Sequence, residues 1–440
     1  MPFVTVQLGQ CGNQLGTQFF KSLIDDALDE TTGCSKQANE DYQQVLLDRF
    51  FTDNAGKSGT HIYTPRSVLI DMESKVLAQS VAIAQQTKCW RYSAKQQFSQ
   101  KSGSGNNWAY GYCVHGSRCD PGIEQVIRLQ VEKCDRFDGF LCLMSLAGGT
   151  GSGLGTYVTE MLRDVYPRAF LVNQVVAPYK SGEVILQSYN ALLTLAHLYE
   201  SSDGLIIEEN DHMQSICSRL LGLKNVSFQH INNVIAHKML HLLAPATQSS
   251  TVANHLGHYI EQVYAHPSYK LSSLLTLPLM PESSLQYSTF QWDASIRTMR
   301  QMLIAKAYME EGINWGVKVR PTSNYNKCIS NIVVARGKDS SSLDMKSLSE
   351  PALYPRWMPA EERLHAYTSE RAISGYEKSL SMLCNSQSSI DMIDGLIDKA
   401  WSMFVSRAYT HQYSRHGLNI DDFLDCFRIM ERVIFDYRNL

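Results

Sequence analysis

The 440-residue chain has almost no excess of charge of either sign: 40 basic and 43 acidic residues leave a formal net charge of -3. A general binder of nucleic acid needs a basic surface to neutralise phosphates, so that class is excluded. Long apolar runs are also missing. Segments such as Phe140–Leu146 fall far short of the roughly 20 residues that a membrane helix requires, and no membrane association is expected. The N-terminus MPFVTVQLGQCG lacks a basic leader followed by an apolar stretch and does not read as a signal peptide. The 11 cysteines are odd in number and never spaced as CxxC, which points to reduced thiols in an intracellular chain rather than a disulfide framework. What is present is ordinary for a folded protein, with 44% hydrophobic and 19% charged residues. The length predicts two or three units rather than one domain.

Val4, Val6 and Leu8 alternate with polar residues and lead into Gly9-Gln10-Cys11-Gly12. This predicts a strand, a glycine turn and then a helix over 15–28, the opening of a nucleotide-type α/β unit. Residues 31–59 are polar and read as a loop. Strands are expected at 67–71, 137–145 and 170–176, with helices over 154–165 and 189–200. Alternating strands and helices imply a mainly parallel, doubly wound sheet whose ligand sits at the strand C-terminal ends. Beyond about residue 210 the pattern changes. Phe228, Ile231, Val234, Ile235 and Leu242 share one helical face. Strands follow at 275–280 and 332–336, with a polar loop over 337–349. Two helical stretches close the chain on either side of Gly417-Leu418-Asn419, the second over 420–438. The domains expected are 1–210, 211–385 and 386–440.

The strongest motif is Ala147-Gly148-Gly149-Thr150-Gly151-Ser152-Gly153, between a strand and a helix. Glycines admit phosphate oxygens close to backbone N–H groups, and the helix aims its positive end at the same anion. Thr150 and Ser152 add hydroxyl donors. Glycine runs also make plain flexible turns, but this strand–helix setting favours a phosphate cradle. No lysine follows, so it is not a Walker A loop, and the spacing fits a dinucleotide fingerprint poorly. Ala55-Gly56-Lys57-Ser58 imitates the end of a Walker A loop, yet no strand precedes it and Phe51 stands where a first glycine belongs; it reads as a solvent loop. His237 and His241, one helical turn apart, lack a third metal ligand, and Cys113, Cys119, Cys134 and Cys142 lack metal spacing and read as apolar fillers.

The run Ser145 to Gly153 resembles the tubulin signature, with alanine for its first glycine. Gly9 to Gln14, Gly105-Asn106-Asn107-Trp108-Ala109, Gly111-Tyr112, Tyr189-Asn190 and Arg407-Ala408-Tyr409 are similar to further tubulin segments in the same order. The resemblance therefore spans the whole chain. It implies a tubulin-like fold: an α/β GTP-binding domain with a doubly wound, mostly parallel sheet, an α+β intermediate domain and a C-terminal helical hairpin. It implies GTP or GDP as ligand, with Gln10 and Cys11 bordering phosphates and base, and Ser145, Ala147, Gly148, Gly149, Thr150, Gly151, Ser152 and Gly153 forming the phosphate loop. Asp71 and Glu73 match the acidic loop that organises Mg²⁺, largely through water, with Glu73 the metal-side residue. Asn106 matches a phosphate and ribose contact, and Glu183 lies beside the ribose. Asn210 and Asn232 match the guanine-reading asparagines, since a carboxamide supplies both donor and acceptor. Phe228 matches an aromatic stacked on the base.

Departures from the family pattern shape the expected function. His258 stands where alpha-like subunits carry a water-activating acid, with Glu261 the nearest carboxylate. Ser74 and Gln187 replace a common proline and a common acid. The chain ends Asp436-Tyr437-Arg438-Asn439-Leu440 without an acidic tail, leaving tail-reading motors nothing to hold. Within the family the alanine-containing glycine run, the opening segment and Ser181-Gly182-Glu183-Val184 most resemble the delta branch, with epsilon second. That resemblance implies a structural subunit of centriole and basal-body triplet microtubules in the cytoplasm, centrosome and cilium base, partnered by alpha, beta and epsilon tubulins and centriolar proteins. The alternative is a GTPase switch regulating other tubulins. Hydrolysis, if any, would be weak or assembly-dependent.

Overall fold

The computed structural model describes residues 2–55, 61–182, 184–248, 252–320 and 325–440. The chain divides into two compact units, one built from Met1–Lys21, Leu47–Asn210 and Ile390–Asp436, the other from Ser22–Leu46, Asp211–Ser389 and Tyr437–Leu440.

In the first unit, strands β1 (Val4–Leu8), β4 (Ser67–Asp71), β5 (Gln97–Ser99), β6 (Gly139–Ser145), β7 (Phe170–Ala177) and β8 (Gly204–Glu209) form a sheet in the order β8-β7-β6-β1-β4-β5. Every pairing within it is parallel. A short antiparallel ribbon, β2 (Phe51–Ala55) with β3 (His61–Pro65), stands apart. The chain winds outward from β1 through β4 to β5, then returns to β6 on the other side. This reversal leaves a crevice at the C-terminal ends of β1 and β6, where open α/β sheets bind ligands.

The alternation of Val4, Val6 and Leu8 suggests one buried and one wet face, but all five residues of β1 are buried. A central parallel strand is covered on both faces. Gln7 is accommodated by a hydrogen bond from its amide to Tyr92 Oη at 3.2 Å and by the absence of a side chain at Gly16. A Cβ at Gly16 would lie 2.4 Å from Gln7 Cδ.

Three elements differ from the sequence expectation, among them β2 (Phe51–Ala55), which falls in the stretch read as a loop. The first helix starts at Gly9 and runs to Ala27, so Gln10, Cys11 and Gly12 form its first turn instead of a separate loop. Gly9 turns the chain directly out of β1 at φ +68°, a backbone shape that glycine adopts without penalty. Residues 36–50, expected as loop, form a helix, Lys36–Phe50. Tyr42, Leu46 and Phe50 recur every four residues and are buried, a narrow apolar stripe hidden among charges. The other expected strands and helices of this unit are present, with their ends shifted by at most two residues.

The second unit holds β9 (Thr247–Gln248), β10 (Val252–Ala253), β11 (Leu271–Leu277), β12 (Cys328–Gly337), β13 (Leu364–Ser369) and β14 (Lys378–Ser386), ordered β10-β9-β13-β12-β14-β11. Among the described residues of this unit, β12 and β13 pair in parallel and the other strand pairs are antiparallel. Leu275, Met299, Met302, Val333, Leu380 and Met382 are central to its apolar core. Helix Phe228–Leu243 buries Ile231, Val234, Ile235 and Leu242, while Phe228 at its first turn stays 59% exposed. The buried Arg336 guanidinium ends this helix, donating to the carbonyls of His241 (3.0 Å), Pro245 (2.8 Å) and Ala244 (2.5 Å). A cation there also complements the negative end of the helix dipole.

The closing helices, Ile390–Val405 and Ile420–Arg438, belong mainly to the first unit, and a short helical turn, Thr410–Ser414, lies between them. Trp401, Phe404, Phe423 and Phe427 hold the pair together, with Trp401 and Phe427 edge-to-face at 5.0 Å. Among the described residues no helix is long and apolar enough to cross a membrane.

Candidate nucleotide site

Three turns meet at the C-terminal ends of β1, β4 and β6. They are the start of helix Gly9–Ala27, the segment 103–111, and the glycine run 147–153. They approach backbone to backbone, and the glycines are what permits this. A Cβ at Gly9 would lie 2.6 Å from Gly151 N, at Gly111 2.0 Å from Gly149 O, and at Gly153 2.2 Å from Trp108 O. Real side chains never come that close, so these positions accept nothing larger without moving a main chain.

Within the run, Ala147 N–H donates to Ser145 Oγ at 3.1 Å, and Ser152 Oγ donates to Gly148 O. Gly148 has φ +90°. The run continues as a wide helical turn, Thr150–Leu154, and then as helix Gly155–Val165. The expected strand–loop–helix arrangement is therefore present, and it ends on a helix N-terminus suited to an anion. Thr150 Oγ1 lies 3.0 Å from Ser104 Oγ. Ser104 was not singled out by sequence; only its place in a turn-forming stretch hints at it. Asn106 adopts φ +55°, a left-handed shape that asparagine tolerates better than most residues. Its Oδ1 is 3.9 Å from the position a Gly148 Cβ would take, so Asn106 faces the glycine run.

Cys11 lies in the first turn of helix Gly9–Ala27, where burial pushes its thiol up to about 12. A thiol raised in this way stays protonated near neutral pH. Gln10 beside it is exposed. Asp71 ends β4 and is buried, with its Oδ1 accepting the Glu73 N–H at 3.0 Å. Asp71 Oδ2 is buried without a hydrogen-bond partner among the described residues. Glu73 immediately precedes the next helix, Ser74–Gln86, without capping it through its side chain, and its carboxylate lies against Gly103. A buried carboxylate oxygen with an unmet need for a donor suits a hard cation or its water shell. Among the described residues no three His, Cys, Asp or Glu side chains gather as a metal cage, so a cation here would draw its other ligands from phosphate and water.

Burial raises the Asp71 carboxyl from 3.8 to about 6, against a weaker opposing pull from the Glu73 N–H. Between those values the folded chain keeps a proton that the unfolded chain has lost. Stability of the cation-free protein should therefore fall as pH rises from about 4 to about 6, by at most about 3 kcal/mol. Asp71→Asn should flatten that slope and raise the unfolding midpoint above pH 6. Thermal melts across pH 4–7 in chelator check it, and an unchanged slope rejects the assignment.

Asn210 is the first residue after β8 and opens a short helix, Asn210–Ser215. Phe228 and Asn232 lie on helix Phe228–Leu243 of the second unit, whose N-terminus is capped by Ser227, with Phe228 exposed and Asn232 buried. Glu183 lies outside the described residues. Gln187 donates to Tyr179 O at 2.9 Å and closes the loop that precedes its helix. In the second unit, His258 sits on helix Leu256–Val263 with its ring 3.5 Å from that of His255, and Glu261 is exposed.

Gly56, Lys57 and Ser58 lie outside the described residues. His237 and His241 have ring centroids 4.2 Å apart. Cys119 and Cys142 are buried, whereas Cys113 and Cys134 keep some exposure, and all 11 cysteines are free thiols.

Comparison with known proteins agrees with this geometry. Residues 2–218 match the GTPase domain of the Tubulin/FtsZ family. The chain is 43% identical to the tubulin delta chains of Macaca fascicularis and Homo sapiens, each alignment covering 100% of both chains. A tubulin beta chain of Cicer arietinum is 25% identical over 98% of this chain and 93% of its own length. The delta relatives match far better than the beta relative, and over slightly more of each chain, and the chain accordingly belongs to the tubulin family as a delta-type tubulin that carries the family's guanine-nucleotide-binding GTPase domain.

Proposed function

We propose that this delta-type tubulin binds GTP or GDP at the meeting of its three glycine turns, and that it serves as a structural subunit in forming or stabilising the triplet microtubules of centrioles and basal bodies. As a tubulin it is a cytoskeletal protein that interacts with other tubulins. The observation that carries the nucleotide reading is the backbone-to-backbone packing of Gly9, Gly111 and Gly153 at the crevice of the parallel sheet. It supports Ser145 and Ala147–Gly153 as the phosphate loop, with Gln10, Cys11 and Asn106 around it. Asp71 and Glu73 would hold hydrated Mg²⁺, which neutralises phosphate charge when bound. The roles of Glu183 at the ribose and of Asn210, Asn232 and Phe228 at guanine rest on the family resemblance. We divide the chain functionally into a GTP-binding part (1–210), an α+β part (211–385) and a C-terminal helical part (386–440).

A subunit whose nucleotide lies at a contact with the next subunit couples binding to assembly, because GTP favours one interface geometry over another. Alpha, beta and epsilon tubulins and centriolar proteins are the partners that this reading predicts, at the centrosome and the cilium base. Chromatography of nucleotide released from gently purified protein should give about one GTP or GDP per chain, and none at all would reject the site. In cells lacking the chain, electron microscopy should show fewer complete triplets. Intact triplets would reject the structural role.

A further inference from the structure

Two segments with tubulin-like sequence, Tyr189-Asn190 and 407–409, have no place in the nucleotide contacts above, yet they meet directly behind segment 103–111. Asn190 is fully buried on helix Gln187–Ser201. Its Oδ1 accepts the Trp108 N–H at 3.2 Å and the Tyr413 hydroxyl at 2.7 Å, while its Nδ2 donates to Asn106 O at 2.8 Å. The one side chain thus grips the main chain on both sides of Asn107. Asn107 is itself bound outward, donating from Nδ2 to Gln412 O at 3.1 Å and accepting the Tyr110 N–H at 3.2 Å. Tyr189 Oη donates to Ala408 O at 3.0 Å. All of these groups belong to the first unit.

The grip falls where the main chain most needs one. Gly105 and Asn106 are both left-handed, at φ +56° and +55°, and a non-glycine residue holds that shape only when its surroundings enforce it. The other end of the network is similarly wound, with Arg407 at φ +53° and Tyr409 at +59°. Two unusually shaped segments, one facing the glycine run and one in the C-terminal helical region, are therefore held by adjacent buried residues, the first by the Asn190 carboxamide, which also binds Tyr413, and the second by the Tyr189 hydroxyl on Ala408 O. A buried network whose acceptors are met has few alternative arrangements, so movement at one end is felt at the other.

We propose that Asn190, oriented by Tyr413, is a positioning residue that presents Asn106 to the nucleotide and ties nucleotide occupancy to the order of segment 407–416. The inference rests on the nucleotide reading above and adds to it a route from the phosphates to the C-terminal helices. It follows that GDP or GTP protects 407–416, and that a partner seated on that segment changes nucleotide affinity by the same factor as nucleotide changes the partner's affinity, because coupling between two sites is reciprocal.

The test uses the full chain and a fluorescent GDP analogue. Tyr413→Phe removes one hydroxyl and leaves the ring against Tyr189 (5.5 Å) and Phe423 (5.4 Å). It should weaken GDP roughly fivefold, the typical worth of one hydrogen bond. Asn190→Asp keeps the shape but sets a carboxylate oxygen against Asn106 O, and should weaken GDP by at least about tenfold. Hydrogen exchange of 407–416 should slow on GDP binding in the wild type and respond much less in Tyr413→Phe, an effect that a purely structural bond would not produce. Wild type that binds GDP, with Tyr413→Phe and Asn190→Asp within about twofold of it, overturns the inference alone. So does exchange in 407–416 that ignores GDP in the wild type. Wild type that binds no GDP overturns the nucleotide reading and the inference with it.

Discussion

Arg371→Leu should lower the stability of the chain by about 3–5 kcal/mol, because it strands a buried carboxylate. Arg371 and Asp26 lie in the second unit with side chains only 4% and 3% exposed. The guanidinium reaches both Asp26 oxygens at 2.9 and 3.1 Å, the Asp26 carbonyl at 2.7 Å and Asn39 Oδ1 at 2.8 Å. It also stacks 4.1 Å above the Tyr42 ring, whose hydroxyl donates to Asp26 Oδ2 at 2.7 Å. Every strong acceptor in the cluster is met, which is the condition for ions to remain buried. Removing the cation alone leaves Asp26 charged and dry, or forces it to take up a proton. Asp26→Leu combined with Arg371→Leu should recover most of the loss, since a matched apolar pair carries no desolvation penalty. Urea unfolding of the single and double variants decides between outcomes. A single-variant loss below about 1 kcal/mol would place the pair with weak surface ion pairs and refute its buried character.

None of that cluster was legible in the sequence, and the reason is distance. Asp26 and Arg371 are 345 positions apart, and neither sits in a motif. The helix that supplies Asn39 and Tyr42 was itself hidden, because its apolar residues are outnumbered by polar and charged ones together. By contrast, the parallel sheet was legible: a buried central strand is a dense run of Val, Leu, Ile and Phe, as in Phe140–Leu143, and such runs leave little choice of structure. The glycine run was legible for a related reason, since its chemistry lies in residues that are consecutive. Asp71 and Glu73 were found as types, but the unmet need of Asp71 Oδ2 depends on neighbours that only the fold brings together. Asn190 falls between these cases. Its resemblance to a family segment marked it, yet its role needs Trp108 and Tyr413 beside it, 82 and 223 positions away.

Gly149→Val should abolish nucleotide retention, leaving less than about a tenth of the wild-type occupancy, a loss that needs about 1.7 kcal/mol if the site is half-filled near its Kd and about 4 kcal/mol if nucleotide stands about a hundredfold above Kd. The steric case is direct. A Cβ at Gly149 would sit 2.5 Å from Ser104 Cβ, 2.8 Å from Asn107 O and 2.9 Å from Ser104 O. Two of these atoms are main-chain carbonyl oxygens and cannot rotate away, so segment 104–107 must move and carry Asn106 with it. Overpacking of this kind costs about 1–3 kcal/mol or more in stability. A second variant therefore separates lost binding from lost fold. Thr150→Val nearly preserves volume while removing the hydroxyl that meets Ser104 Oγ at 3.0 Å, and it should weaken nucleotide by roughly five- to tenfold with the fold intact. Gly395→Ala is the control, because nothing lies within 4 Å of its Cβ position inside helix Ile390–Val405, and it should hold nucleotide as the wild type does. Circular dichroism establishes the fold of each variant, and chromatography of released nucleotide gives its occupancy. If Gly149→Val folds and still carries a full complement of GDP, the phosphates lie somewhere other than against this loop, and the crevice between β1 and β6 is not the site.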